Sequence, residues 1–408
     1  MGMEAIFQTS NGLGIKTIYG NNIIGTYNFS GKHNYSFPTS IRFGAGVIDE
    51  LADHLKGKNL QNPLVVTDPV LSDLDFFKAI ITKLKKVGLS VEVFSETHKN
   101  PIKSDVLKGA DVYHATQRDC VVGIGGGVAM DVARAILLRI NHHRDLFDYD
   151  DLIGGDKFIT EDVPYFITVP TTAGTGSEVG RSAIISEDES KKKRILFHPK
   201  LIADIVFADP MLTMDLPPHI TAATGMDALT HNIEAYLAKN YHPMCDGIAL
   251  EGISLIIDSI EKATLNPDVE SRSNMMIASL MGAVAFQKGL GIVHSLAHPM
   301  SSLLDTHHGL ANAINLPYGL KFNYDGFEDR FNTMGYHMNL GANSGEKVVD
   351  FIFDLNKKIG LPKKLREVSV TREHIEPLSA LAFADFCHPN NPKPVTQEDF
   401  KKLYTEAL

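Results

Sequence analysis

The chain has 408 residues, of which 44% are hydrophobic and 22% charged, and it carries a formal net charge of -10. This length and balance describe a globular protein of about two domains that buries a large core without disulfides. The acidic charge excludes a general nucleic-acid binder, which needs a basic face. The three cysteines, Cys120, Cys245 and Cys387, form no CxxC pair. That argues against a thiolate zinc site and a disulfide framework, and fits a reducing, cytoplasmic setting. No apolar run reaches the roughly 18 residues of a membrane span. The start of the chain has no basic stretch leading into an apolar one, so no secretory signal is expected. It begins Met-Gly, but Ile6 stands where a myristoylation site needs Ser or Thr.

Residues 1–35 are rich in Gly, Asn, Ser and Thr and read as an extension or an edge hairpin. Strands and helices then alternate. Pro63 to Thr67 is a short apolar run stopped by Asp68-Pro69, and a helix follows to about Val87. Ser90 to Phe94 alternates like a strand, and Ser104 to Thr116 reads as a helix. Cys120 to Ile124 is a buried strand ending in three glycines; Asp131 to Arg139 is helical, and Tyr165 to Val169 is another buried strand. Such βαβ alternation predicts a parallel sheet with helices on both faces. Strand signals stop after Pro217-Pro218. Helical spacing then runs through Thr221 to Ala238, Asp246 to Thr264, Arg272 to Lys288 and Ile292 to Asp305, and on to the end. The expected fold is an α/β domain with a Rossmann-like parallel sheet over residues 36–212, then an all-helical domain over 213–408.

Gly123-Ile-Gly-Gly-Gly-Val-Ala-Met-Asp131 follows a strand and opens a helix. Glycines let the backbone approach a phosphate, and the helix behind supplies free N–H groups and a favourable dipole. The run is not GxGxxG, and a tight turn would read the same way. Pro170-Thr-Thr-Ala-Gly-Thr-Gly-Ser177 also follows a buried strand, with four hydroxyls where ligands of open α/β sheets bind. A polar capping turn is the alternative. Two such loops at strand ends of one sheet together favour a dinucleotide.

Farther on, Asp227 and His231 lie on one helical face, as do His294 and His298, and His307-His308-Gly309 follows a turn. Imidazoles with a carboxylate suit a first-row divalent metal, Fe(II) or Zn(II). With 17 histidines some such pairs arise by chance. A carboxylate on an otherwise apolar helix is harder to dismiss, because burial demands a partner.

Taken together, these segments resemble the iron-containing (group III) alcohol dehydrogenases, from about Phe37 to the C-terminus. The resemblance also takes in Asn100-Pro101, Asp209-Pro210, Asn391-Pro392 and Thr396-Gln-Glu-Asp399. It implies the two-domain, dehydroquinate-synthase-like architecture. Asp227, His231, His294 and His308 would be the metal ligands, with His307 off the pattern. His298 would stand near the metal and the nicotinamide as a proton relay. Cofactor contacts would fall on Asp68, Asn100, Gly126, Gly127, Asp131, Thr171, Thr172, Thr175 and Lys193. Val128 replaces the family's frequent Ser, and Arg134 a common Lys. Met300-Ser-Ser-Leu-Leu304, more polar than usual, is expected to line or support the substrate pocket.

The implied reaction is reversible hydride transfer between NAD(H), rather than NADP(H), and a small alcohol or aldehyde. The ion, Fe(II) before Zn(II), would act as a Lewis acid. A homo-oligomer, dimer or larger, is expected, with no nucleic-acid or membrane partner. The rivals are a dehydroquinate-synthase-like or glycerol-dehydrogenase-like enzyme on the same fold, and a non-catalytic NAD- or metal-binding module. A lyase of the first kind would need a basic cluster for a phosphorylated acid, and none accompanies the metal residues. Four intact ligands argue against the module.

Overall fold

A computed structural model describes residues 35–190 and 192–408, together with the backbone of three strands nearer the N-terminus. Those strands are β1 (Glu4–Thr9), β2 (Gly12–Tyr19) and β3 (Asn22–Asn28), which pair antiparallel in that order. The rest of the expected extension lies outside the described residues.

The chain divides into two compact units. The unit built on residues 38–216 and 268–276 holds the large sheet. Its elements are β4 (Ser40–Phe43), α1 (Leu51–Gly57), β5 (Pro63–Val66), α2 (Pro69–Ser72), α3 (Asp75–Lys86), β6 (Glu92–Phe94) and α4 (Lys103–Ala115). They continue with β7 (Cys120–Gly125), α5 (Gly127–Asn141), β8 (Tyr165–Pro170), β9 (Ser182–Ser186), β10 (Lys193–Phe197) and β11 (Ile205–Ala208).

The sheet order is β4-β11-β8-β7-β5-β6, and every pairing is parallel. Strands β5, β7 and β11 are buried at every residue. This is why they read as unbroken apolar runs: helices cover both faces, so neither side chain direction meets water. Alternate residues serve the two cores. Leu64, Val66, Val121 and Phe166 pack with Val132, Ile136 and Leu137 of α5 on one face. Val65, Val122, Ile124 and Ile167 pack with Leu51, Leu55, Phe77 and Leu84 of α1 and α3 on the other.

From β5 the chain moves outward to β6, then returns to place β7 on the opposite side of β5. The sheet therefore changes direction between β5 and β7. Carboxyl ends at such a switch point form the crevice in which open α/β sheets bind ligands. Asp68 follows β5, and Gly126 and Gly127 follow β7. A separate antiparallel pair, β9 with β10, was not foreseen from the sequence.

The other unit comprises residues 1–37, 217–267 and 277–408, and its described residues beyond Tyr35 are helical. Its helices are α6 (Pro218–Leu237), α7 (Pro243–Leu265), the later part of α8 (Val269–Ala285), α9 (Ile292–Leu304) and α10 (His308–Tyr324). They continue with α11 (Glu328–His337), α12 (Val348–Lys358), α13 (Ile375–Phe383) and α14 (Gln397–Ala407). Helix α6 is buried from Thr221 to Leu237 and packs against α7 and α10, while α10 packs against α9. A helix buried all round has no solvated face on which to leave polar groups. Its Asp227, His231 and Glu234 must find partners inside the protein. Among the described residues no single helix is long and apolar enough to cross a membrane.

Candidate metal centre and glycine cradle

Within the helical unit, one ligand atom from each of Asp227, His231, His294 and His308 lies within 4.8 Å of the others. Three helices supply them. Asp227 and His231 sit one turn apart on α6, His294 is in the first turn of α9, and His308 opens α10. The approach of α10 depends on Gly309, where a Cβ would stand 2.3 Å from the Ala223 carbonyl and 3.1 Å from Asp227 Cβ. His308 Nε2 lies 3.5 Å, and His294 Nε2 4.0 Å, from Asp227 Oδ1. The His231 and His294 rings stack with centroids 4.6 Å apart.

The donor set suits a divalent cation. Burial alone would raise the Asp227 pKa, but the imidazoles of His231, His308 and His294 and the Asn312 amide outweigh it and hold the carboxyl down to about 2. Burial, then the neighbouring His231, push His294 well below its ordinary value, so it stays neutral with a lone pair to offer. The Asn312 amide nitrogen lies 2.7 Å from Asp227 Oδ1, 3.3 Å from His294 Nε2 and 3.2 Å from His308 Nε2. Three polar atoms thus crowd one amide nitrogen whose two N–H groups cannot serve them all, and His231 Nδ1 is buried without a hydrogen-bond partner. An anion with three imidazoles in a buried space is what a borderline metal such as Fe(II) or Zn(II) requires.

His307 takes a different part. Its Nδ1 accepts from Leu310 N at 3.4 Å, so it serves as the N-cap of α10. His298 lies one turn after His294, about a quarter exposed, its ring stacked on His308 with centroids 5.3 Å apart. Its Nδ1 is 2.8 Å from Asp385 Oδ2. Asp385 Oδ1 accepts from Ser295 Oγ at 2.6 Å and Cys387 N at 2.9 Å. Burial opposes ionisation, but His298, Ser295 and the Cys387 N–H together hold this carboxyl well below the usual carboxylate range. Phe386 is 47% exposed and tilts against His298, giving the histidine an apolar neighbour. In the stretch expected near the pocket, Met300 and Ser301 are buried and Leu303 is 48% exposed.

Sequence reasoning missed Glu234, Asn312 and Asp385. Glu234 comes three residues after His231 and Asn312 four after His308, so one turn of helix from a candidate ligand was the available signal. Burial pushes Glu234 up to about 7, against the backbone N–H groups of Val293, Gly291 and His294 that hold it down.

In the sheet unit the two expected loops meet. Strands β7 and β8 are neighbours with Gly125 opposite Pro170, and Thr171 N donates to Gly125 O at 3.0 Å. A Cβ on Gly126 would stand 3.3 Å from Thr172 Oγ1, and one on Gly127 3.2 Å from Thr175 Cγ2. The bare backbone is therefore what lets the loops close on each other. Gly126 caps α5 with no side-chain bond, so no cap side chain satisfies the first N–H groups of this helix. Asp68 Oδ2 stands 3.8 Å from where a Gly125 Cβ would be, so it borders the same cradle. Its Oδ1 accepts from Leu71 N at 2.9 Å.

Asp131 is spent on the protein itself. Its Oδ1 accepts from Ser177 Oγ at 3.0 Å and its Oδ2 from Ile184 N at 3.1 Å. Arg134, fully buried, donates to Ser177 O, Ser182 O and Leu201 O. Together they pin the start of α5 to the threonine loop. Lys193 opens β10 and bears electrostatically on Asp131. Asn100 precedes α4, half-buried, on the segment that leaves β6.

Comparison with known proteins agrees with both halves. Residues 38–210 match the family model for iron-containing alcohol dehydrogenase, and residues 221–408 match that for the C-terminal part of the Fe-containing alcohol dehydrogenase family. The chain is 38% identical over 381 residues to a 4-hydroxybutyrate dehydrogenase of Cupriavidus necator, spanning 91% of this chain and 98% of that one. It resembles the crystal structure of a 1,3-propanediol oxidoreductase with a TM-score of 0.88 at 30% identity, covering 92% and 99% of the two chains. It resembles a sulfoacetaldehyde reductase from Bifidobacterium kashiwanohense in complex with NAD+ with a TM-score of 0.82 at 28% identity, covering 92% and 98%.

Proposed function

We propose, from the premise that the chain belongs to the iron-containing alcohol dehydrogenase family and is a metal-dependent alcohol dehydrogenase, that it interconverts a small alcohol and its aldehyde with NAD(H) as hydride carrier. The observation that carries this reading is the convergence of Asp227, His231, His294 and His308 on one point, the first three buried and His308 half-buried. These four residues would hold a single divalent ion, Fe(II) before Zn(II). When bound, the ion supplies a Lewis acid for the substrate oxygen, and the nicotinamide takes up or gives back the hydride.

The chain's own residues do the rest. Asp227 contributes the negative charge and the imidazoles neutral lone pairs. His298, its Nδ1 committed to Asp385, has Nε2 left to hold or move the hydroxyl proton. Phe386, its ring centroid 5.6 Å from that of His298, gives this histidine an apolar neighbour. In the sheet unit, Gly126, Gly127 and the start of α5 would receive the pyrophosphate, with Thr171, Thr172 and Thr175 beside it. Asn100 and Lys193 would complete the expected contacts, while Asp131, its oxygens taken up by Ser177 Oγ and Ile184 N, would act by locking the loops. Asp68 would accept from the adenosine ribose hydroxyls, which favours NAD over NADP. Support for NAD also comes from the NAD+ complex of the related sulfoacetaldehyde reductase.

Three free, buried cysteines fit a cytoplasmic enzyme, and a homo-oligomer is part of the same reading. The test is absorbance at 340 nm with NADH and a panel of aldehydes, run beside oxidation of 4-hydroxybutyrate and 1,3-propanediol. Enzyme stripped by a chelator should be inactive and recover with Fe(II) or Zn(II). Full turnover without metal across the panel would refute the proposal.

A further inference from the structure

Glu234 lies on α6 one turn beyond His231, 4% exposed, and reaches to the first turn of α9. Its Oε1 accepts from Val293 N at 2.7 Å. Its Oε2 accepts from His294 N at 3.2 Å and sits 2.6 Å from His294 Nδ1. The Gly291 N–H also points to this carboxylate. Space for it is reserved at Gly291, where a Cβ would stand 2.9 Å from Oε1. On the other side of the same ring, His294 Nε2 faces the Asn312 amide N–H at 3.3 Å. A carboxylate accepts and an amide NH2 donates. The ionised Glu234 carboxyl therefore specifies one tautomer, and the Asn312 amide is compatible with it: the proton on Nδ1, the lone pair on Nε2, which is the nitrogen turned to the other candidate ligands.

We infer that Glu234 is a positioning residue for the metal: it fixes the tautomer and orientation of His294 and thereby sets how tightly the ion is held. The inference rests on the reading of His294 as a ligand. Its chemistry separates Gln from Glu at the same size. In Glu234→Gln the amide oxygen can still accept from the Val293 N–H, but an NH2 group turned to His294 Nδ1 must donate. The proton then moves to Nε2 and the lone pair is lost to the ion.

The experiment uses the full chain stripped of metal. Zn(II) affinity is measured by competition with a chromophoric chelator for the native protein, Glu234→Gln and His294→Ala. Glu234→Gln should bind Zn(II) about 10- to 100-fold more weakly than native protein. In parallel, 15N-histidine spectra of the metal-free native protein, taken on the alkaline side of pH 7 where the Glu234 carboxyl is ionised, should show His294 protonated at Nδ1, the signal being assigned by its loss in His294→Ala. The tautomer is read on the native protein, so this second measurement does not depend on Glu234→Gln folding. If His294→Ala loses Zn(II) while Glu234→Gln keeps native affinity, the role of Glu234 is overturned and the metal site stands. An Nε2-protonated His294 in the native protein overturns it as well. If His294→Ala itself binds Zn(II) as tightly as native protein, the metal reading fails and the inference falls with it.

Discussion

Asp385 Oδ2 stands 2.8 Å from His298 Nδ1, and the two residues lie 87 positions apart in the chain. The carboxylate is held from its other side by Ser295 Oγ and Cys387 N, so it cannot turn away. The pairing fixes which nitrogen of His298 is available for the proton. In Asp385→Asn the amide would donate to Nδ1 and leave a proton on Nε2. The expected outcome is a loss in kcat on the order of 10²-fold, with metal content and cofactor KM close to native. A variant with native kcat would show that Asp385 only supports the loop after α13.

Asp68 serves two ends at once. Its Oδ1 caps α2 through Leu71 N, and its Oδ2 borders the cradle. A carboxylate there would repel a 2′-phosphate: at about 4 Å and an effective dielectric near 20, two unit charges interact by roughly 4 kcal/mol before screening. Even a third of that is about tenfold in affinity. Replacing an N-cap by Gly costs only a few tenths of a kcal/mol, so Asp68→Gly isolates the charge. Measured kcat/KM should favour NADH over NADPH in the native enzyme, and the preference should relax in the variant. Native preference for NADPH would contradict this reading.

Glu178 is buried behind the threonine loop, with Oε1 lacking a hydrogen-bond partner. Burial pushes its carboxyl up from 4.5 to about 7, with the Arg134 charge only partly opposing. The unfolded chain releases this proton near 4.5 and the folded chain near 7. Between those values the folded state binds the proton more tightly, so stability falls as pH rises. Above the window the contribution amounts to about 3 kcal/mol of lost stability. Glu178→Gln removes the titration. Its midpoint in urea should therefore gain on the native protein between pH 5 and pH 8. An equal offset at both pH values would show that Glu178 does not titrate in this window.

Much of this architecture is legible in the residues, for identifiable reasons. Strands β5, β7 and β8 announce themselves because burial on both faces demands unbroken apolar runs. Gly125 to Gly127 announce the cradle because a run of glycines is conspicuous after such a strand. Asp227 with His231, and His294 with His298, share helical faces and so form visible pairs. Spacing alone pairs His294 with His298, however, and does not separate His307 from His308. The structure does so by making His307 a helix cap and turning His308 Nε2 toward Asp227. Strand β4 pairs with β11, more than a hundred residues on, and its Ser40-Ile-Arg-Phe43 has no distinctive pattern. The β9–β10 pair mixes polar and charged residues with apolar ones and escapes a search for buried runs. Asp385 sits in a loop without periodicity, and only the folded chain brings it to His298.

If turnover runs through an ion held by Asp227, His231, His294 and His308, metal and activity must be lost together. The most direct measurement is metal content by elemental analysis together with NADH-dependent aldehyde reduction, on one preparation each of native protein and His231→Ala. His231 is buried on the central helix, stacked on His294, and its loss removes one ligand. Native protein should carry about one ion per chain, and the variant, shown by circular dichroism to be folded, should have lost both the ion and nearly all turnover. A folded His231→Ala protein with stoichiometric metal and native activity would contradict it.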